Sequence, residues 1–148
     1  TNRKWPLLLG GRPGNFGCDE IERLANDPEI KDDIIILGYV SQANYPRLMA
    51  SARAFVFPSK FEGFGIPLIE AMACKVPILA SDIPVFREVA VDSALYFDPD
   101  NIDDIAQKMD KITTDEKLQE TLAIKGLQRS RQFSWEKCAR ETLDFILK

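Results

Sequence analysis

Two glutamates flank a short glycine-containing loop, which is the most informative stretch of the sequence. Seven residues separate Glu62 from Glu70, and the run Gly63-Phe64-Gly65 directly follows the first of them. Ionised carboxylates accept hydrogen bonds from hydroxyl groups, and glycine lets the backbone come close to a ligand. This spacing therefore indicates a site that can hold hydroxyl groups and an anion side by side.

The loop stands between an apolar run and a helix-like segment. Residues 54–57 predict a buried strand, and residues 67–74 predict a helix with Pro67 near its first turn, where a missing N–H is tolerated. In an open α/β sheet, ligands bind at this carboxyl edge, and the free amides at a helix start favour a phosphate or a sugar hydroxyl. Two acids beside an anion site suit a sugar nucleotide better than phosphate alone.

Each feature also has a plain structural explanation when it is taken alone. Glu70 can complement the helix dipole on a solvated face, and the Gly-Phe-Gly run can be a structural turn. Only the combined spacing after a buried strand favours a binding site.

The composition excludes several classes of function. The 148 residues fit one domain, and a net charge of −4 without a basic stripe argues against a nucleic-acid-binding protein. Histidine is absent, so any chemistry must rest on carboxylates, backbone amides and the cations of Lys and Arg. Cys18, Cys74 and Cys138 are widely spaced and are expected to be reduced, packed thiols. No apolar run is long enough to span a bilayer, which predicts a soluble, cytoplasmic protein.

Apolar runs and helix-like segments alternate along the chain up to residue 97. Strands are predicted at residues 5–9, 33–37, 54–57, 77–80 and 94–97, and helices at residues 19–26, 45–51, 67–74 and 85–89. This alternation is typical of an α/β fold, a Rossmann-like parallel sheet with flanking helices. Three consecutive helices are predicted to follow at residues 101–112, 115–132 and 135–147, with Ser134 as the N-cap of the last. That helix carries more apolar surface than a small domain needs, which fits contact outside the domain or an ordinary core role.

The run from Pro58 to Ala73 follows the pattern Pro-Ser-x-x-Glu-Gly-Phe-Gly-x-Pro-Leu-x-Glu-Ala-Met-Ala. This pattern resembles the signature of glycosyltransferase family 4, whose members are retaining enzymes of the GT-B fold with two glutamates separated by seven residues. The resemblance covers nearly the whole chain. Further segments similar to the family's C-terminal domain are Leu7-Leu-Leu-Gly-Gly, Ile34-Ile-Ile-Leu-Gly-Tyr-Val, Ser81-Asp-Ile-Pro and Phe133-Ser-Trp.

The resemblance implies that this chain binds the sugar-nucleotide donor. Glu70 is then expected to hold the donor ribose, and Glu62 to contact the transferred sugar as the catalytic carboxylate. The backbone would line the sugar and diphosphate at Gly63, Phe64, Gly65 and Ile66, and would border the base at Tyr39 and Val40. No metal or other cofactor is expected, because this family stabilises the leaving diphosphate with amides and basic side chains.

The resemblance also implies a reaction, the transfer of a hexose from a GDP- or UDP-sugar to a glycan or lipid-linked acceptor. The run from Ala80 to Glu88 is similar to a variant found among mannosyl- and related hexosyltransferases of polysaccharide assembly. This similarity favours mannose, and with it GDP-mannose, as the donor.

The sequence departs from the family pattern on its N-terminal side. Family members begin this half with one more strand and helix, whose loop supplies an Arg and a Lys to the donor phosphates, and carry an N-terminal acceptor domain. The chain is therefore expected to be a fragment or a split subunit that is inactive alone, and any membrane contact would run through the missing domain. Lys60, Arg12 and Arg87 are candidates for the missing positive charge, although no motif supports them.

Other interpretations stay open at this point. A noncatalytic sugar-nucleotide-binding or regulatory domain would keep the site without the reaction, and a phosphorylase-like or epimerase-like relative would share the architecture. Asp98-Pro-Asp100 has the carboxylate spacing of a metal-binding motif, although a turn and an N-cap explain it without a metal. Gly11, Gly14 and Gly17 form a weak dinucleotide fingerprint that a proline interrupts.

Overall fold

The structure is a computed structural model that describes residues 5–11 and 18–147. Arg12, Gly14 and Gly17 lie outside the described residues, as does the side chain of Cys18, so the predictions that concern them stay predictions. The chain divides into two compact units, Thr1–Tyr45 and Pro46–Lys148. The prediction of a single sugar-nucleotide-binding domain stays a prediction.

A two-stranded parallel sheet forms the centre of the first unit. Its elements are, in chain order, strand β1 (Leu7–Gly10), helix α1 (Cys18–Ala25), a 3-10 helix (Lys31–Asp33) and strand β2 (Ile34–Gly38). Leu7 of β1 lies opposite Ile34 of β2. Large apolar side chains of both strands remain exposed, as in Ile36, which is 50% exposed. A two-stranded sheet with uncovered apolar side chains is only marginally stable by itself.

A three-stranded parallel sheet forms the centre of the second unit, and helix α2 (Tyr45–Ser51) begins at its border. The remaining elements are strand β3 (Phe55–Phe57), helix α3 (Ile66–Ala73), strand β4 (Ile78–Ser81), helix α4 (Pro84–Ala90), strand β5 (Ala94–Phe97), helix α5 (Ile102–Thr114), helix α6 (Glu116–Ser130) and helix α7 (Trp135–Ile146). The strand order is β3-β4-β5, and every residue of the central strand β4 is buried. Burial on both faces explains why β4 reads as a continuous apolar run in the sequence.

The core of the second unit lies between the sheet and the helices α3, α5 and α6. Leu79 and Phe97 pack with Ile112 and Leu122, and all four are almost completely buried. Full burial of one such side chain stabilises a fold by about 1.5–3 kcal/mol. Helices α3 and α6 come close together because Gly126 has no side chain, and a Cβ there would lie 3.3 Å from Cγ of Met72.

The three C-terminal helices begin at side-chain caps. Asn101 accepts a hydrogen bond from the Asp104 amide at 3.1 Å, and Asp115 accepts one from the Leu118 amide at 2.9 Å. The Ser134 hydroxyl accepts a hydrogen bond from the Lys137 amide at 3.1 Å, which confirms the predicted N-cap. Each cap satisfies a backbone N–H that has no partner inside its helix.

Helix α7 exposes an apolar surface to solvent. No residue of α7 is buried, and Trp135 and Phe145 are 79% and 81% exposed. Within the part of the chain that the structure describes, this helix therefore does not contribute to a core. Within the same ranges, no helix is both long and apolar enough to cross a membrane.

The predicted α/β class, with parallel strands, flanking helices and consecutive helices at the end, is confirmed. The described strands form two sheets, β1-β2 and β3-β4-β5. Among residues 5–11 and 18–147, no strand pairs with β1 on the side away from β2, or with β3 on the side away from β4. Unpaired edges of this kind leave backbone groups available to a further strand.

Candidate functional site

The loop between β3 and α3 places the first glutamate before a helix start, as the sequence predicts. Helix α3 begins at Ile66, Pro67 lies in its first turn, and Gly65 is its N-cap with φ +87° and ψ +49°. A Cβ on Gly65 would lie 3.0 Å from Cε1 of Phe86. Both the left-handed backbone and the close approach to a buried ring require glycine at this position.

The backbone at the start of α3 carries amides without acceptors. In the part of the chain that the structure describes, Gly63, Phe64, Gly65 and Ile66 donate no hydrogen bond to a backbone carbonyl. The positive end of the helix dipole lies at the same place. These amides are therefore available to a phosphate oxygen or a sugar hydroxyl.

Glu62 is half-buried and is oriented by a neighbouring hydroxyl. Ser59 Oγ donates a hydrogen bond to Glu62 Oε1 at 2.8 Å. A hydrogen bond to a charged acceptor is short and directional, so it restrains the rotamers of the carboxylate. The sequence pattern contains Ser59 but does not by itself predict this role. The signal that points to it is a serine three residues before the acid, which is near enough in a tight loop for its hydroxyl to reach the carboxylate.

Glu70 is exposed in the second turn of α3. Its carboxylate forms no hydrogen bond or ion pair with another residue of the described ranges, which leaves it available to ligand hydroxyls. Burial raises the pKa of the Cys74 thiol, and the charge of Glu70 raises it further. Cys74 is thus a protonated, partly packed thiol, whereas Cys138 is exposed and the prediction that it is packed is wrong.

Tyr39 and Val40 follow β2 in the first unit, and Tyr39 is 64% exposed. The loop and both glutamates belong to the second unit. The expectation that Tyr39 and Val40 border a base therefore stays a prediction.

The two described cations that the sequence offers for a diphosphate are engaged by carboxylates. Lys60 forms an ion pair with Asp100. Arg87 donates from Nε and Nη2 to the two oxygens of Asp82, at 2.7 and 2.6 Å, and its guanidinium lies 3.9 Å from the centre of the Tyr96 ring. The paired hydrogen bonds from Arg87 lower the pKa of Asp82. These contacts give both cations a structural role that a phosphate ligand would have to displace.

The residues of the Asp98-Pro-Asp100 motif form a turn and a helix cap. The Asp98 carboxylate accepts a hydrogen bond from the Asp100 amide at 3.0 Å, and Asn101 caps α5. The Asp98 amide in turn donates to Asp104 Oδ2 at 2.9 Å. Turn and cap contacts therefore account for these acids, as the sequence suggested.

Two shallow cavities, of about 330 and 280 Å³, lie beside α6. Both are lined by Lys75 and Glu120, and neither is lined by a residue of the 58–65 loop. The candidate site therefore does not coincide with these two cavities.

Comparison with known proteins identifies the family. Residues 2–129 match the model of "Glycosyl transferases group 1". The chain is 37% identical over 144 residues to O-antigen chain mannosyltransferase B of Escherichia coli, an alignment that covers 97% of this chain and 38% of that protein. The chain therefore spans about two fifths of the length of this curated relative.

Solved structures share the fold. Sucrose-phosphate synthase from Thermosynechococcus elongatus superposes with a TM-score of 0.84 and 26% identity over 95% of this chain and 37% of that one. HepE from Anabaena, in complex with UDP and glucose, superposes with a TM-score of 0.83 and 19% identity over 95% of this chain and 40% of its own. The protein belongs to the group 1 glycosyl transferases and has the Rossmann-like architecture of GT-B enzymes.

Proposed function

We propose that this chain is the donor-binding part of a retaining family 4 glycosyltransferase. The enzyme transfers a hexose from a nucleotide-diphospho-sugar, and mannose is the first hexose to test. The arrangement at the start of α3 carries the proposal, because two acids flank a loop of amides that lack backbone acceptors. The O-antigen mannosyltransferase relative supports hexose transfer in polysaccharide assembly. The UDP and glucose bound by HepE support a sugar nucleotide as the donor.

Each group of the site has a distinct role in the proposal. Glu70 accepts hydrogen bonds from the ribose hydroxyls, and Glu62 contacts the transferred sugar. The amides from Gly63 to Ile66 bind the sugar and the diphosphate, and the backbone of Tyr39 and Val40 borders the base. Because amides and a helix dipole can stabilise the leaving diphosphate, the reaction requires no metal.

The transfer breaks the bond between the anomeric carbon and the diphosphate oxygen, and the diphosphate leaves with the bonding electrons. The acceptor hydroxyl forms its bond to the same face of the anomeric carbon and passes its proton to the departing diphosphate oxygen. Positive charge develops on the sugar and negative charge on the diphosphate. Glu62 stabilises the first and the amides of Phe64 and Gly65 stabilise the second. We assign Glu62 an electrostatic and orienting role, and Ser59 holds its carboxylate in place.

The complete enzyme, in this proposal, contains a further strand–helix unit and an acceptor domain, and works in the cytoplasm. The relative's greater length supports the further unit and domain. The exposed apolar surface of α7 fits contact with that acceptor domain, through which any membrane contact would also run. The 148-residue chain alone is then inactive, because catalysis needs both substrates held together.

Calorimetric titration of the full-length protein with GDP-mannose, GDP, UDP-glucose and UDP-N-acetylglucosamine tests the donor, with transfer to an acceptor glycan measured in parallel. The proposal expects binding of GDP-mannose or another of these sugar nucleotides, and turnover with the same donor. Binding without turnover on any acceptor glycan would favour the noncatalytic domain, and absence of binding would refute the donor site.

A further inference from the structure

An aromatic contact joins the loop of the candidate site to the connection between α6 and α7. The rings of Phe64 and Phe133 meet edge to face, with centroids 5.9 Å apart and an angle of 76° between their planes. Phe64 is 46% exposed, whereas Phe133 is half-buried. The two residues are 69 positions apart in the chain. A contact of this kind fixes the loop against a distant part of the second unit.

Arg129 holds Phe133 in this position. Its guanidinium carbon lies 4.9 Å from the centre of the Phe133 ring. The same side chain donates from Nε to the Val89 carbonyl at 2.8 Å and from Nη2 to the Glu88 carbonyl at 2.9 Å. A cation at the C-terminal end of a helix such as α4 interacts favourably with the helix dipole and with its unsatisfied carbonyls. Arg129 therefore ties the ring of Phe133 to the end of α4.

Phe64 belongs to the run of backbone amides without acceptors at the start of α3. Its side chain and its amide share one Cα, so packing that anchors the ring restrains the movement of the backbone that carries the amide. Groups that stabilise a reacting ligand must be held to within about 0.5 Å of their productive positions. The packing of Phe64 thus affects how well the loop binds a diphosphate.

We propose that Phe133, fixed by Arg129, is a positioning residue that acts through Phe64 on the donor-binding backbone of the loop. This inference rests on the proposed function, because it assigns a donor to the amides at Phe64 and Gly65. It assigns Phe133, which is distant in sequence from both glutamates, a role in the site. The aromatic contact, the cation over the ring and the two carbonyl hydrogen bonds form one continuous connection from α4 to the loop.

The test compares Phe133→Leu, Phe133→Tyr and wild type in the full-length enzyme, with the sugar nucleotide that the wild type turns over. Phe133→Leu is expected to raise the donor KM about 2- to 13-fold, the equivalent of about 0.5–1.5 kcal/mol for an aromatic pair. Phe133→Tyr keeps the ring and is expected to restore the KM to within about twofold of wild type.

Phe55→Leu is the matched control, because it removes the ring of Phe55, which lies 5.6 Å from that of Phe57 and stands at the end of β3 away from the loop. It is expected to lower the Tm without changing the donor KM. Phe64→Leu combined with Phe133→Leu completes a double-mutant cycle, in which coupled residues give less than the product of the two single effects.

A Phe133→Leu enzyme with a lower Tm and an unchanged donor KM would overturn the inference, and so would purely multiplicative effects in the cycle. If Phe133→Leu does not fold, Phe133→Met takes its place, because methionine better preserves the side-chain volume. The same two outcomes would then overturn the inference. If the wild type and Phe133→Leu turn over the donor equally well, only the positioning role is refuted. A wild type that binds no sugar nucleotide refutes the proposed function.

Discussion

Replacement of Gly65 by alanine tests the geometry of the loop most sharply. Gly65 has a φ of +87°, and a non-glycine residue in this left-handed region costs about 1–2 kcal/mol. The new Cβ would also lie 3.0 Å from Cε1 of Phe86 and 3.5 Å from Cδ1 of Leu68, and both side chains are fully buried. Overpacking of this kind costs about 1–3 kcal/mol, so Gly65→Ala is expected to lower the free energy of unfolding by about 2–5 kcal/mol.

Gly63→Ala provides the control within the same loop. Its φ is not in the positive region, and a Cβ there would meet no atom within 4 Å, so the expected loss is below about 1 kcal/mol. Urea unfolding of both variants gives the two free energies. Equal stability of the Gly65→Ala and Gly63→Ala proteins would refute the assignment of Gly65 as a conformationally required N-cap.

Three further predictions follow from single contacts. Ser59→Ala is expected to lower kcat about 10-fold with little change in donor affinity, because it removes the hydrogen bond that orients Glu62. Ser59→Thr keeps the hydroxyl and is expected to preserve both values. Steady-state kinetics of Ser59→Ala that match those of the wild type would contradict this prediction. Val91→Gly is expected to raise the free energy of unfolding by about 1 kcal/mol, since this β-branched residue has a φ of +52°; a loss of stability in urea would speak against it. Burial raises the pKa of Tyr96 to about 12, so its hydroxyl stabilises the fold fully below pH 10 and progressively less as the pH rises towards 12. The difference in stability between wild type and Tyr96→Phe is therefore expected to narrow over that range, by no more than about 1–2 kcal/mol because the ring is only half-buried; a constant difference would contradict it.

The sequence was sufficient to predict features that depend on local patterns. The buried strand β4 reads as a continuous apolar run, and the caps Asn101 and Ser134 stand directly before periodic segments. The start of α3 followed from Pro67, because proline has a fixed φ that suits the first turn of a helix, where its missing N–H is tolerated.

Contacts between distant residues could not be predicted in this way. Nothing near Phe64 in the sequence indicates that its ring meets Phe133, since that pairing depends on how α6 ends against α4. The positive φ of Val91 is equally hidden, because valine ordinarily indicates a strand or a helix interior. The ion pair between Arg87 and Asp82 was not predicted either, because Arg87 was considered only as a candidate to bind the diphosphate.

The positions of Glu62 and Glu70 support the different roles proposed for them. Glu62 is half-buried and accepts a hydrogen bond from Ser59, whereas Glu70 is exposed on the helix. A restrained carboxylate suits the stabilisation of a reacting sugar, and an accessible one suits hydroxyl groups that bind before the reaction. The two residues are therefore expected to respond differently to substitution.

The most direct test of the central claim is to measure donor affinity and turnover separately for Glu70→Ala and Glu62→Ala in the full-length enzyme. Glu70→Ala is expected to weaken donor binding about 10- to 150-fold, because each lost hydrogen bond to a charged group is worth about 1.5–3 kcal/mol. Glu62→Ala is expected to lower kcat far more than it changes donor affinity. If both variants bind the donor and turn over like the wild type, the assignment of this surface as a sugar-nucleotide site is wrong.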